Sequence, residues 1–236
     1  MNDGVERDRD HDLDLVSRTR RTLKTPRAAA FAGIIFALLY GASMVLIRLS
    51  VPDDLTADSA WLETNAGTVA LALFLVPYAG IAFLWFIGVI RDRFGDLEDR
   101  FVATVFLGSG LLFLGITFVG AAMAGGLVSS YASGALVDSG VFAYNRTVIY
   151  HITSVYAIRM AAVFMTSLAT IWYRTGLMHR VWAYLTYGLA LVLLFSIGYS
   201  LWVTLIFPAW VFMISLYILI RNLHEPPRAA TGEVQG

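Results

Sequence analysis

The sequence has 236 residues, of which 58% are hydrophobic and only 14% are charged, and its mean hydropathy is +0.69. About half the residues of a soluble domain are apolar and about a quarter are charged, so this composition excludes an ordinary soluble protein. The absence of cysteine excludes disulfides, thiolate chemistry and cysteine-ligated metals, and the formal net charge of zero points to no nucleic-acid partner.

Residues 1–27 form a polar N-terminal tail that we expect to be disordered and cytoplasmic. Its first half is mostly acidic and polar, whereas residues 18–27, RTRRTLKTPR, carry five basic side chains next to the first apolar segment. We expect such a segment to lie on anionic lipid headgroups, with about 1 kcal/mol from each basic side chain. Alternatively, it only fixes the orientation of the chain. The residues in question are Arg18, Arg20, Arg21, Lys24 and Arg27.

Six apolar segments follow the tail, each near the roughly 20 residues that a bilayer-spanning helix needs. They cover residues 28–50, 65–90, 101–128, 148–173, 181–197 and 201–220. We divide the last apolar run at IGYS because a single helix of about 40 residues would exceed the bilayer roughly twofold. The sequence therefore predicts an all-α membrane bundle over residues 28–221 and a disordered cytoplasmic tail over 222–236.

Basic residues are distributed unevenly among the connections. Fourteen of the 17 lie in the two tails and in the second and fourth connections, whereas the other side of the predicted bundle has only Arg48 and Arg146. By the positive-inside rule, both termini are predicted to be cytoplasmic. A five-span alternative would place the termini on opposite sides of the membrane.

The second connection contains GVIRDRFGD, in which Gly88, Asp92, Arg93 and Gly95 form the pattern G-x-x-x-D-R-x-G. This pattern resembles the loop signature of the major facilitator superfamily, which also lies between spans 2 and 3 on the cytoplasmic side. That family has twelve spans, and its signature continues with two basic residues where this chain has an acidic and an apolar one. Alternatively, the motif is a helix stop in which Gly95 makes the turn.

A longer block, FLWFIGVIRDRFGDLEDRFVATVFLGSGLLFLG, resembles uncharacterised multi-pass membrane proteins of high-GC bacteria. The near-exclusive use of arginine, with Lys24 as the only lysine, points to the same kind of genome. This resemblance implies the bacterial cytoplasmic membrane as the compartment and implies no activity.

Two stripes of small residues at helical spacing lie in the first and third segments. In a bilayer, such stripes allow close helix packing, so we expect packing within the chain, with homodimerisation or an unknown membrane partner as the alternative. The stripes consist of Ala29, Gly33, Ala37 and Gly41, and of Gly108, Gly115, Ala122 and Gly126.

Intramembrane enzymes need an acid pair, a nucleophile beside a base, or metal ligands within the bilayer. No predicted span contains Asp, Glu or Lys, and the four histidines are too scattered to form a pair across the bundle. We therefore expect no enzymatic activity, no cofactor and no metal.

Arg159 lies near the middle of the fourth predicted span, where a charge costs at least about 2.5–3.5 kcal/mol. Because no predicted span contains a carboxylate, its partners are expected to be neutral. Pro77 and Pro208 are expected to kink their helices and to free the carbonyls of Leu73 and Thr204. Side chains at a similar depth, or further out on the same side, complete the candidate site: Tyr40, Tyr78, Trp210 and His151.

Two interpretations of Arg159 remain open. It either holds the bundle together, or it supplies the fixed positive charge of an outward-opening cavity that binds an anionic group, as in transporters with broken helices. The sequence favours a non-enzymatic role in binding a small molecule or lipid, related to transport. The alternatives are a structural or assembly subunit of a membrane complex and a half-size transporter that acts as a dimer.

Overall fold

The computed structural model describes residues 28–55, 57–94, 100–135, 139–176, 178–195 and 201–224. This part of the chain is helical apart from its connections and contains no strand. The helices are α1 (Ala28–Ser50), α2 (Trp61–Phe94), α3 (Arg100–Ala132), α4 (Ser139–Tyr150), α5 (Ile158–Thr175), α6 (Arg180–Phe195) and α7 (Ile206–His224). A π-helical segment, His151–Ala157, joins α4 to α5 without a break, and a 3-10 turn, Leu201–Leu205, leads into α7.

Five helices in the described part of the chain are long and apolar enough to cross a membrane. They correspond to α1, α2, α3, the continuous helix of α4 and α5, and α7 with its preceding turn. The helix α6 is also apolar but has only 16 residues, or about 24 Å against a hydrocarbon core of about 30 Å. The predicted all-helical fold is thus confirmed, and the chain has the character of a multi-pass membrane protein.

The long apolar run at the end of the chain folds back on itself. Trp182 near the start of α6 packs on Tyr217 of α7 with ring centroids 5.0 Å apart, and Trp210 Nε1 donates to Thr186 Oγ1 at 3.0 Å. Since later residues of α6 meet earlier residues of α7, the two helices are antiparallel. The residues of the predicted division, 197–200, lie outside the described part of the chain.

The described ends of the chain lie at the same end of the bundle. Gly33 of α1 is in contact with Ser215 of α7, and Phe36 one turn later meets Phe207, so α1 and α7 are antiparallel neighbours. This arrangement requires an even number of crossings between α1 and α7.

The centre of the bundle is a cluster of phenylalanine rings from five helices. Phe83 of α2 contacts Phe36, Phe113, Phe164 and Phe207 with centroid distances of 4.6–5.7 Å, and each of these side chains is at most 1% exposed. Aromatic pairs contribute packing energy beyond the area they bury, which matters in lipid, where helix association depends on close contact.

Small residues permit the closest helix contacts, as predicted for α1. Ala29, Gly33 and Ala37 are buried there, and a Cβ on Gly33 would collide with Ser215 and Phe86. Three of the four predicted residues therefore pack within the chain, whereas the Cβ position of Gly41 has no neighbouring helix within 4 Å.

The stripe predicted on α3 faces away from the bundle. No atom lies within 4 Å of a Cβ position on Gly108, Gly115 or Gly126. The close contacts of α3 instead use Gly110, against Ile87 and Phe164, and Gly120, against Thr153. The expectation that the predicted α3 stripe packs within the chain was wrong.

Candidate functional site

The connection between α1 and α2, residues 51–60, is held by an arginine from a distant helix. Arg146 of α4 is only 5% exposed. Its Nη1 donates to the carbonyls of Asp54 and Ala57 at 3.0 and 3.1 Å, and its Nη2 donates to that of Pro52 at 2.8 Å. Carbonyls in a non-helical connection lack helical N–H partners, and the planar guanidinium with five donors suits this task. Arg146 thus clamps the connection onto the bundle.

Aromatic rings hold the same guanidinium from the other side. The Arg146 Cζ lies 5.5 Å from the ring centre of Trp61 and 5.9 Å from that of Phe142. These rings belong to a second small hydrophobic cluster built on buried Leu62, Leu127 and Phe142. Trp61, the first residue of α2, is therefore fixed in place by α3 and α4.

A second arginine at this end of the bundle has far fewer partners. Arg48, in the last turn of α1, has a side chain that is 11% exposed, and its Nη1 lies 4.0 Å from Oδ1 of Asp53, which is 86% exposed. Its Nε is buried without a hydrogen-bond acceptor in the described structure, and so is Nε1 of Trp61. Two buried N–H donors at this end are therefore unused.

Both unused donors belong to residues that line one cavity of about 150 Å³ between α1, α2, α3 and the π segment. Its walls are mainly apolar and include Met44, Ile47, Val69, Leu73, Val76, Ala121, Ala124 and Leu127. Charged residues line it near the 51–60 connection, namely Arg48, Arg146 and Asp53, and hydroxyl-bearing residues line it deeper in the bundle, namely Tyr40, Thr117 and Thr204. The cavity is thus amphipathic along its length.

Arg159 does not line this cavity. It is half-buried at the start of α5, and its Nη1 donates to the carbonyl of Val155, one turn earlier in the π segment, at 3.3 Å. The same carbonyl also accepts the backbone N–H of Ile158. The acceptor is a neutral carbonyl, as expected, but it belongs to the same helix rather than to Leu73 or Thr204.

The other predicted site residues are not gathered around Arg159. Tyr40 is buried and lines the deep end of the cavity, whereas Tyr78 is half exposed at the bundle surface. Trp210 is buried and donates to the hydroxyl of Thr186 on α6. His151 is exposed, with its Nδ1 2.8 Å from a carbonyl of its own helix.

The two prolines occupy different environments. The helix α2 continues through Pro77, which is exposed at the bundle surface. Pro208 is buried and is the third residue of α7, directly after the 3-10 turn. Proline is tolerated in the first turn of a helix. Instead of kinking the middle of a helix, Pro208 therefore lies where the chain changes from 3-10 to α geometry.

The predicted motif of the second connection lies only partly in the described structure. Gly88 and Asp92 are exposed residues of α2, which continues to Phe94. The side chain of Arg93, the turn residue Gly95 and the whole basic tail, with Arg18, Arg20, Arg21, Lys24 and Arg27, lie outside the described residues.

Sequence reasoning missed Arg146, Trp61 and Arg48 as site residues. A usable signal was present, because Arg48 and Arg146 are the only basic residues on the sparsely charged side of the predicted bundle. The positive-inside rule does not explain basic residues on that side, so they are candidates for a structural or binding role.

The chain matches no protein-family model, no curated protein and no solved structure.

Proposed function

We propose that this chain is a six-span protein of the bacterial cytoplasmic membrane that binds a small molecule or lipid without enzymatic chemistry. The bias of basic residues supports cytoplasmic termini, and the shared position of the start of α1 and the end of α7 agrees with six crossings. The short α6 crosses the bilayer with local thinning or with snorkelling flanking residues.

The observation that carries this proposal is the cavity of about 150 Å³, with apolar walls and arginines at one end. Ligand sites are typically apolar pockets with a few placed polar groups, and ionisable residues inside membrane proteins are functional by default. In the proposed orientation, the charged end lies toward the periplasmic side. Ligands reach it from that side or from the outer leaflet, which suits the binding step of transport.

The basic tail has a separate role in this proposal. Its five cations lie on the cytoplasmic leaflet and contact anionic headgroups, which anchors the start of α1. The bilayer and its anionic lipids are then the partners of this segment.

The test uses two alanines of α3, one in the wall of the cavity and one on the outer surface of the bundle. Ala124 lines the cavity, whereas Ala122 is exposed at the bundle surface. The purified protein is heated in neutral detergent with and without short-chain carboxylates, aromatic acids and anionic lipids. A ligand present at 100 times its Kd stabilises the folded protein by about 2.7 kcal/mol and raises its Tm.

We expect Ala124→Leu, which fills the cavity, to abolish the ligand-induced rise in Tm, and Ala122→Leu to retain it. If no compound raises the Tm of the wild-type protein, or if both variants respond alike, the binding proposal fails. The role of a structural or assembly subunit would then be the better explanation.

A further inference from the structure

We infer that the cavity recognises a monocarboxylate with an apolar body of about six carbon atoms, and that Arg48 and Trp61 bind the carboxylate. This inference rests on the proposed binding function and names its ligand class. It depends on three features of the charged end: the unused donors, the net charge and the volume.

The unused donors are the first feature. Nε of Arg48 and Nε1 of Trp61 are both buried without an acceptor in the described structure, and both residues line the cavity. Buried N–H groups in native proteins nearly always have an acceptor, so two unused donors in one cavity indicate an acceptor supplied from outside the chain. Arg146 at the same end makes three hydrogen bonds to carbonyls, so burial alone does not leave guanidinium donors unused.

The donors suit a carboxylate in particular. Guanidinium N–H groups form short, charge-assisted hydrogen bonds with carboxylate oxygens, and the indole N–H acts only as a donor. A ligand ammonium group could not accept hydrogen bonds from these donors, and it would approach two arginines.

The charge at this end favours a single negative charge on the ligand. Arg48 and Arg146 supply two positive charges, and the neighbouring Asp53 and Asp54 supply two negative ones. Both carboxylates are exposed, so solvent screens them, and the positive charge of the nearly buried Arg48, 4.0 Å from Asp53, is only weakly compensated. A carboxylate balances it at neutral pH, because carboxyl groups titrate near pH 4. A phosphate monoester with about −1.5 to −2 charges would leave the site negative.

The volume limits the size of the apolar body. An engineered apolar cavity of about 150 Å³ binds benzene, so this cavity holds a group of about six carbon atoms. Its walls are mainly apolar, and hydroxyl-bearing side chains also line it, namely Tyr40, Thr117, Tyr150, Thr153, Ser154 and Thr204. Benzoate and hexanoate meet these limits, with the carboxylate at Arg48 and the apolar body among the side chains of α1, α2 and α3.

The experiment measures binding of para-fluorobenzoate and para-fluorobenzamide to the full-length protein in neutral detergent by fluorine NMR. The two probes share the same ring and differ in charge. We expect wild-type protein to bind the acid about tenfold more tightly than the amide, because the acid forms a charge-assisted hydrogen bond. Arg48→Gln should remove this preference, and Trp61→Phe should weaken acid binding about fivefold through the loss of one neutral hydrogen bond.

Arg159→Met is the matched control, because it removes an arginine from the same bundle that does not line the cavity. It should bind both probes like the wild-type protein. If Arg48→Gln does not fold, two measurements still test the inference. One compares binding of the acid and the amide by the wild-type protein, and the other measures acid binding by Trp61→Phe.

The possible failures can be told apart. Equal binding of acid and amide, both blocked by Ala124→Leu, would overturn the carboxylate inference and leave the proposed binding function standing. A second outcome would also overturn only the carboxylate inference: neither probe binds, but an anionic phospholipid raises the Tm of the wild-type protein and not that of Ala124→Leu. If neither the probes nor any lipid binds, both the inference and the proposed function fail.

Discussion

Replacing Arg146 by glutamine should release the connection between α1 and α2 from the bundle. In the structure, its guanidinium donates three hydrogen bonds of 2.8–3.1 Å to carbonyls of residues 52–57 and lies over two aromatic rings. Glutamine offers only two donors on a shorter side chain, so it cannot reach all three carbonyls.

The magnitude follows from these contacts. Each hydrogen bond from a charged group contributes about 1.5–3 kcal/mol, and each cation–π contact contributes about 0.5–1 kcal/mol. Against this gain stands the desolvation of the buried guanidinium, which costs several kcal/mol and is relieved in the variant. We therefore expect Arg146→Gln to lower the free energy of unfolding by about 3 kcal/mol, and Arg146→Lys by somewhat less because lysine keeps the charge but lacks the planar fork.

Arg48→Gln provides the matched control for stability. This arginine lies at the same end of the bundle, but its ion pair in the described structure is a 4.0 Å contact with the exposed carboxylate of Asp53, so its removal should cost less than about 1 kcal/mol. Equilibrium unfolding in mixed micelles measures both free energies. Because the chain has no cysteine, Ala57→Cys adds a single thiol whose labelling rate reports release of the connection. Labelling should accelerate when Arg146→Gln is added.

The reasoning is refuted if Arg146→Gln costs no more than Arg48→Gln and leaves the labelling rate unchanged. That result would mean that water satisfies the three carbonyls as well as the guanidinium does.

Three further predictions concern packing, the midspan arginine and topology. Gly110→Ala should lower the free energy of unfolding by about 1–3 kcal/mol, because the new Cβ would lie 2.7 Å from a side-chain carbon of Ile87 on α2. The control Gly108→Ala should be neutral or stabilising in the same thermal-unfolding assay, because no neighbouring helix lies within 4 Å of its Cβ position. Arg159→Met should leave the free energy of unfolding unchanged or raise it by up to about 2 kcal/mol, because it removes a half-buried charge that has one 3.3 Å hydrogen bond. A loss above about 3 kcal/mol in mixed-micelle unfolding would contradict this. Cytoplasmic reporters fused after residue 223 and periplasmic reporters inserted in 130–140 should both be active, and an external C-terminus would rule out the six-span arrangement.

The helices could be predicted from hydropathy, but their ends could not. An apolar run shows which residues can lie in the bilayer, but the helical hydrogen bonds continue beyond it. Accordingly, α2 begins four residues before the predicted span, and α4 begins at Ser139 rather than near 148. The added residues 139–147, about two and a half turns, carry Arg146, whose bonds to the 51–60 connection are long-range contacts that a local pattern does not reveal. The π segment between α4 and α5 packs closely against α3 at Gly120, which is a further long-range contact.

The position of the cavity could not be predicted because it depends on the rotation of α3. Glycines at 108, 110, 115, 120, 125 and 126 place small residues on several faces of this helix. Residues 108 and 110 are about 200° apart around the helix axis, so a choice between them reverses the face that packs. Large partners on neighbouring helices, Ile87 and Phe164, decide in favour of Gly110. The sequence predicted a polar site around Arg159, whereas the arginines that line the cavity are Arg48 and Arg146.

The three arginines of the described helices α1, α4 and α5 that the site proposals concern differ in how the fold uses their donors. Arg146 is the most buried of them, and carbonyls and aromatic rings use its donors, so it acts as structure. Arg159 is half-buried and turns back onto its own helix, which removes the need for a ligand but adds little to the bundle. Arg48 alone of the three combines a nearly buried side chain, an unused Nε donor and a place in the cavity wall. Depth in the membrane sets the cost of a charge, but the donors that the fold leaves unused determine which charge is available to a ligand.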